Sequence, residues 1–178
     1  MKWLGQANSN TRRVVTESEK ISSNDNDITI PTSAAVKDYV DKRSIRVYGN
    51  IIKILPSDFM ANEDAGATKT IQFVDNTAGT TGLKAGAPDT EILAFVDIPE
   101  GKKATHVDIY DASHNLAMEV FELDINAAGG TSKGSGNCNT TLDITDVNAT
   151  ATNFLMILVT TTANSQRVFG GQVTIADQ

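Results

Sequence analysis

Asn153-Phe154-Leu155-Met156-Ile157-Leu158-Val159-Thr160-Thr161-Thr162 is the stretch that decides the fold class. Its apolar run, Phe154 to Val159, has strand length, and taken alone it also fits a buried helix segment. The continuation Val159-Thr160-Thr161-Thr162 is β-branched throughout. Such side chains lose rotamer freedom in a helix and suit a pleated strand. The run is also the longest apolar one in the chain and falls short of the ~18 residues a membrane helix needs.

Working outward, further short apolar or alternating runs predict strands at Arg46–Leu55, Thr70–Val74, Glu91–Ile98, Ala104–Tyr110, Leu116–Ile125, Thr140–Ile144 and Gln166–Ile175. In Leu116–Ile125, Met118, Val120 and Glu122 face opposite to Ala117, Glu119, Phe121, Leu123 and Ile125. Within Gln166–Ile175 the pair Gly170-Gly171 marks a bulge or a close approach. Turn signals fall at Pro99-Glu100-Gly101, Asp111–Asn115 and Ala163-Asn164-Ser165. Asn126–Asn139, with Gly129, Gly130, Gly134 and Gly136, reads as a long flexible loop. Short strands punctuated in this way predict a mainly β protein whose residues 46–178 form an antiparallel β-sandwich or jelly-roll-like domain.

The preceding segments differ in composition. Residues 1–30 are polar with scattered apolar positions and no sustained period, which predicts an extended arm without a core of its own. The chain turns polar directly after Lys2-Trp3-Leu4, so no signal peptide is expected. Residues 31–45 predict a short amphipathic helix: Pro31 opens it, Thr32 or Ser33 can cap it, and Lys42 and Arg43 sit in the last turn. Val36, Tyr39 and Val40 share one face. About twelve residues make a marginal helix in water, so this stripe needs a partner, either the following domain or copies of itself.

The charge is uneven. Residues 1–46 carry eight Lys/Arg and six Asp/Glu, whereas residues 47–178 carry seven and sixteen, within a chain total of −7. An acidic body argues against nucleic acid as the main ligand, because phosphate affinity rests on Lys/Arg. The single cysteine, Cys138, excludes an intramolecular disulfide, and two histidines leave little material for acid–base or metal chemistry.

Ile30-Pro31-Thr32-Ser33-Ala34-Ala35-Val36-Lys37-Asp38-Tyr39-Val40-Asp41 resembles a recurrent signature of tailed-bacteriophage virion proteins, in which it follows a polar arm and precedes a fibre, spike or other structural domain. The stretches Ile98–Tyr110 and Gly134–Ile144 look like parts of structural proteins of marine phages, cyanophages among them. The resemblance implies a non-enzymatic role in the virion and commonly a homotrimer. Its expected partners are other virion proteins of the portal, tail or capsid. It leaves the position on the particle open between a short fibre, spike or fibre-anchoring piece and a capsid decoration or cement protein. A host-surface glycan is a further partner the body could meet, while nucleic acid and membrane insertion are not expected. The candidate docking residues are Trp3, Leu4, Arg12 and Arg13, and the candidate oligomerisation residues are Val36, Tyr39 and Val40. A third reading, a carbohydrate-binding module, predicts an exposed aromatic row, and the scatter of Trp3, Tyr48 and Tyr110 provides none.

Gly130-Thr131-Ser132-Lys133-Gly134 is a literal G-x-S-x-G. A nucleophile elbow needs a helix after it and a later histidine, and no histidine follows His114. His106 and His114, with Asp108 and Asp111 between them, contain metal-ligating residue types but read as a hairpin with its turn. Asp143, Thr145, Asp146 and Asn148 lack the spacing and glycine of a calcium loop and read, like Asp58, Glu63 and Asp64, as a solvated turn. No catalytic residue, cofactor or metal is therefore expected.

Overall fold

Successive residues of a strand point to opposite sides, so an alternating run buries one side and leaves the other outward. The structure, a computed structural model, describes residues 13–15, 29–31, 47–62, 70–74, 81–112 and 114–178. The chain divides into two units, Met1–Val47 and Tyr48–Gln178. In the first, β1 (Arg13–Val15) and β2 (Thr29–Pro31) pair in parallel, with Val14 opposite Ile30. Pro31, expected to open a helix, closes β2, a strand end where its missing N–H is tolerated. Residues 32–46, with the expected stem stripe, lie outside the described residues.

The strands that follow are β3 (Val47–Tyr48), β4 (Ile51–Ile54), β5 (Phe59–Asn62), β6 (Ile71–Val74), β7 (Gly82–Ala85), β8 (Glu91–Val96), β9 (Lys102–Asp111), β10 (Ala117–Asp124), β11 (Gly130–Asn137), β12 (Leu142–Asn148), β13 (Asn153–Thr160) and β14 (Arg167–Asp177). One sheet has the order β11-β10-β13-β8-β5. The other runs β12-β9-β14-β4-β3, and β7 pairs with the start of β14 and carries β6. From β4 onward, neighbours in both sheets are antiparallel. The second unit is thus the expected antiparallel β-sandwich.

Its core comes from the two inner faces. Leu155, Ile157 and Val159 of β13, Ile92, Ala94 and Val96 of β8, and Met118 and Val120 of β10 are buried on one side. Opposite them lie Ile52 and Ile54 of β4, Leu83 and Ala85 of β7, Val107 and Ile109 of β9, and Val168, Val173 and Ile175 of β14. Each fully buried Val, Leu or Ile contributes roughly 1.5–3 kcal/mol by transfer.

Two glycine pairs shape the sandwich. Gly170 has φ +131°, and the register against β9 shifts between Val168 and Gly170, so the expected bulge is present. A Cβ on Gly171 would strike the Asp108 carbonyl and come within 2.5 Å of Ile109 Cδ1. Gly134 and Gly136 correct the expected loop over Asn126–Asn139, since both lie in β11. Cβ atoms there would approach Ile144 Cγ2 and Leu142 Cδ1 at 3.2 Å. Without side chains, this edge of one sheet closes onto β12 of the other, so the glycines serve packing rather than flexibility. Three strands of the second unit went unforeseen: β5, β7 and β11. All three are short or glycine-containing, and each is held by pairing with a neighbour whose own pattern is clearer.

Candidate interaction surface

With Leu155, Ile157 and Val159 turned inward, β13 must place Phe154, Met156 and Leu158 on the outer side of its sheet. The same holds in β8 for Leu93 and Phe95, in β10 for Phe121 and Leu123, and in β5 for Met60. Register aligns these outer positions in rows across the strands. Met60, Leu93, Leu158 and Glu119 form one row; Phe95, Met156 and Phe121 form the next; Phe154 and Leu123 form the third. A fourth row, at the other end, is polar: Asn62, Glu91, Thr160 and Ala117. The Asn62 amide donates to Glu91 Oε2 at 2.6 Å.

Antiparallel sandwiches ordinarily alternate apolar inside with polar outside. Here the central strands are apolar on both sides. Met60 is 52% exposed and Phe95 40% exposed, while the other apolar members of the patch are half-buried. Phe95 and Phe154 meet edge to face at 5.9 Å. A contiguous exposed apolar patch of this kind marks an interaction surface more often than a scattered hydrophobe does.

The outer face of the other sheet is mixed, with polar side chains beside the exposed Tyr110 and Phe169. Asp108 there accepts from Thr141 Oγ1 at 2.6 Å and Gln172 Nε2 at 3.1 Å. His106 Nε2 lies 3.6 Å from Asp143, and Lys103 pairs with Asp146 at 2.7 Å. Lys53 stands over the Tyr48 ring at 5.2 Å.

The candidates for metal chemistry are occupied with structural work. Asp111 accepts from the His114 N–H and Asn139 Nδ2 on Oδ1, at 2.8 and 2.6 Å, and from the Leu116 N–H on Oδ2 at 2.7 Å. It therefore ties the turn after β9 to the end of β11. Among the described residues, no group of three or more His, Cys, Asp or Glu side chains is placed to hold a metal ion. Asp143, Thr145, Asp146 and Asn148 belong to strand β12, not to a turn, and Asp58 caps the 3-10 turn Pro56–Asp58 by accepting the Leu55 N–H at 2.8 Å. Glu63 and Asp64 lie outside the described residues.

Ser132 sits in β11, opposite Phe121 in register, so the G-x-S-x-G is part of an edge strand and no elbow. Its neighbour Lys133 pairs with Glu122 at 2.6 Å, a contact that holds the Glu122 carboxyl below its ordinary range against the opposing effect of burial. Cys138 is buried, and desolvation, with Asp111 adding its charge, pushes its thiol up to about 12.

Of the expected docking residues, Arg13 lies in β1, whereas Trp3, Leu4 and Arg12 fall outside the described residues, as do Val36, Tyr39 and Val40. The apolar outer face was missed from sequence. Its only signal there was that the runs Ile92–Val96 and Phe154–Val159 are apolar at consecutive positions, the pattern of strands covered on both sides.

No family model matches this chain, and no curated protein matches it. Among solved structures, CBM35 from Cellvibrio japonicus Abf62 superposes with a TM-score of 0.34 and 18% identity, over 67% of this chain and 96% of that one. A likeness this low carries no argument about function.

Proposed function

We propose that this chain is a structural protein of a tailed-bacteriophage virion, in which residues 1–30 dock on the particle and the β-sandwich is presented outward as a short fibre, spike or fibre-anchoring piece. The Ile30–Asp41 signature supports the phage assignment. The structural observation that carries a binding role is the division of labour among side chains. All six buried polar residues among those described, Thr90, Asp108, Asp111, Asn153, Thr161 and Gln166, make hydrogen bonds within the fold, at turns, at sheet ends and, for Asp108, across β9 and β14. What the surface offers a partner is apolar and aromatic: Met60 and Phe95 on one sheet, Tyr110 and Phe169 on the other. Attachment needs no more than such contacts, because multivalency on a particle strengthens weak binding.

In this reading Trp3, Leu4, Arg12 and Arg13 contact the portal, tail or capsid, and Val36, Tyr39 and Val40 meet around a three-fold axis. Antibody labelling of intact particles locates the protein: label at the tail or its appendages fits the fibre reading, label over the capsid surface fits a decoration protein, and absence from purified particles refutes both. Deletion of residues 1–30 should leave a folded body that no longer enters virions. Normal incorporation of the truncated chain would sink the docking role.

A further inference from the structure

We infer that Arg167 and Lys84 form a binding site for an oxyanion, a carboxylate or phosphate group carried by a small ligand, on the outer side of β7 and β14. The inference goes beyond the virion role and uses side chains to which that role gives no work. Arg167 and Lys84 are directly opposite each other in the β14–β7 register. Leu83 and Ala85 are fully buried, so Lys84 between them turns outward, and Arg167, which precedes the buried Val168, does the same. Gln72 of β6 faces Lys84 from the other side. The row Gln72-Lys84-Arg167 thus carries three N–H-bearing side chains and no carboxylate. One row along, Phe169 is 40% exposed. A Cβ on Gly82 would come within 2.8 Å of Phe169 Cδ1, so the ring lies over the glycine and walls one side of the row.

This arrangement is unfavourable for the chain alone. Like charges directly opposite on a sheet destabilise it. Opposite charges are plentiful in residues 47–178, where sixteen Asp/Glu meet seven Lys/Arg. Lys102, Lys103 and Lys133 each hold an acidic side chain, and Lys53 stands over the Tyr48 ring. Among the described residues Lys84 and Arg167 form no ion pair and face each other instead. Arg167 Nε is, in addition, buried without a hydrogen-bond partner. A donor withdrawn from water and left unpaired costs free energy that the fold does not recover.

An oxyanion relieves both costs. Its charge cancels the repulsion between the two cations. The planar guanidinium fork matches carboxylate and phosphate oxygens, while the lysine adds a point charge. An anion at the terminal nitrogens draws the guanidinium outward, which brings Nε within reach of an acceptor as well.

The test titrates the full-length chain with sodium acetate and, separately, with sodium phosphate, sodium chloride holding the ionic strength constant. The readout is the Arg167 Nε–H signal in a nitrogen-correlated NMR spectrum, with the backbone N–H signals of Lys84 and Arg167. The expected result is saturable movement at roughly 1–20 mM anion, the affinity that a handful of ligand atoms supports. Lys84→Met keeps the aliphatic stem, and Arg167→Lys keeps the charge but loses the fork. Each should weaken binding at least about tenfold, the worth of one charge-assisted hydrogen bond. Lys53→Met, on the same sheet, should leave it unchanged. Without anion, Lys84→Met should be at least as stable as wild type in urea, because it removes the repulsion. Failure of both anions to saturate overturns the inference. So does binding that Lys84→Met leaves intact or that Lys53→Met weakens equally, and so does a lowered urea midpoint for Lys84→Met, which makes the cation a structural one. Tighter acetate assigns a carboxylate ligand and tighter phosphate a phosphorylated one, and either supports the site. If Arg167→Lys fails to fold, Lys84→Met carries the comparison. Particles play no part in this readout, so this inference and the virion role can fail separately.

Discussion

Replacing Asp111 by alanine removes one carboxylate that is 4% exposed and accepts three hydrogen bonds. Two of the three donors recover. The His114 N–H and the Asn139 amide belong to exposed residues and can turn to water. The Leu116 N–H belongs to a residue 2% exposed and stays unsatisfied. A buried donor left without a partner costs about 1–3 kcal/mol, and each charge-assisted bond lost contributes a further ~1.5–3 kcal/mol, offset in part by no longer desolvating the carboxylate. The net expectation is a loss of about 3 kcal/mol. For a body of this size that lowers Tm by roughly 10 °C.

Cys138 supplies the assay. It is the only cysteine in the chain, is fully buried, and donates its N–H to the Leu116 carbonyl at 2.8 Å, beside the perturbed turn. With the thiol pushed up to about 12, from an ordinary value of 9.0, its thiolate population at pH 8 is about a thousandfold smaller in the folded chain than in the unfolded one. Labelling by a thiol reagent therefore reports opening. A loss of about 3 kcal/mol should speed labelling under native conditions by about 100-fold. Asp111→Asn, which keeps one acceptor oxygen, should fall between wild type and alanine. A labelling rate for Asp111→Ala within threefold of wild type, together with an unchanged urea midpoint, would refute the structural role assigned to this carboxylate.

Ile157→Ala, at the centre of the inner face of β13, should cost about 2–5 kcal/mol in a urea melt, since the cavity cannot collapse between two sheets. Gly170→Ala should destabilise by about 1–3 kcal/mol, because φ +131° is strained for any residue with a Cβ and that Cβ would meet the Ile54 carbonyl at 2.7 Å. Glu122 is held below its ordinary value by Lys133, so its contribution is present above the unfolded value of 4.5 and is lost as pH falls through the lower folded value. Glu122→Gln should flatten that part of the acid limb in a stability–pH profile; an acid limb superimposable on wild type would remove the ion pair from the account. Ser132→Ala, on an edge strand, should leave stability within about 0.5 kcal/mol and virion incorporation unaltered.

The strands that sequence patterning located share a physical property: each carries enough alternating or β-branched residues to report its own state. β13 is the clearest case, where Val159 to Thr162 excluded the helix that Phe154 to Leu158 alone would allow. The Gly170-Gly171 bulge was legible for the same reason, since two adjacent glycines inside a strand have few other uses. β11 was not legible. Glycines in isolation look like a loop, and only the approach of Ile144 and Leu142 from the opposite sheet shows why side chains are absent there.

The same limit governs the site. The local pattern determined that Phe121, Leu123, Phe154, Met156 and Leu158 lie on the sides of β10 and β13 opposite their buried residues, and this follows from the two-residue period alone. That these positions join Met60, Leu93 and Phe95 in one continuous face was decided by the strand order β10-β13-β8-β5 and by its register. Those pairings connect residues as far apart in the chain as Glu91 and Thr160. Long-range pairing is set by how whole faces bury one another, a property of the assembled sandwich that no window of local sequence contains.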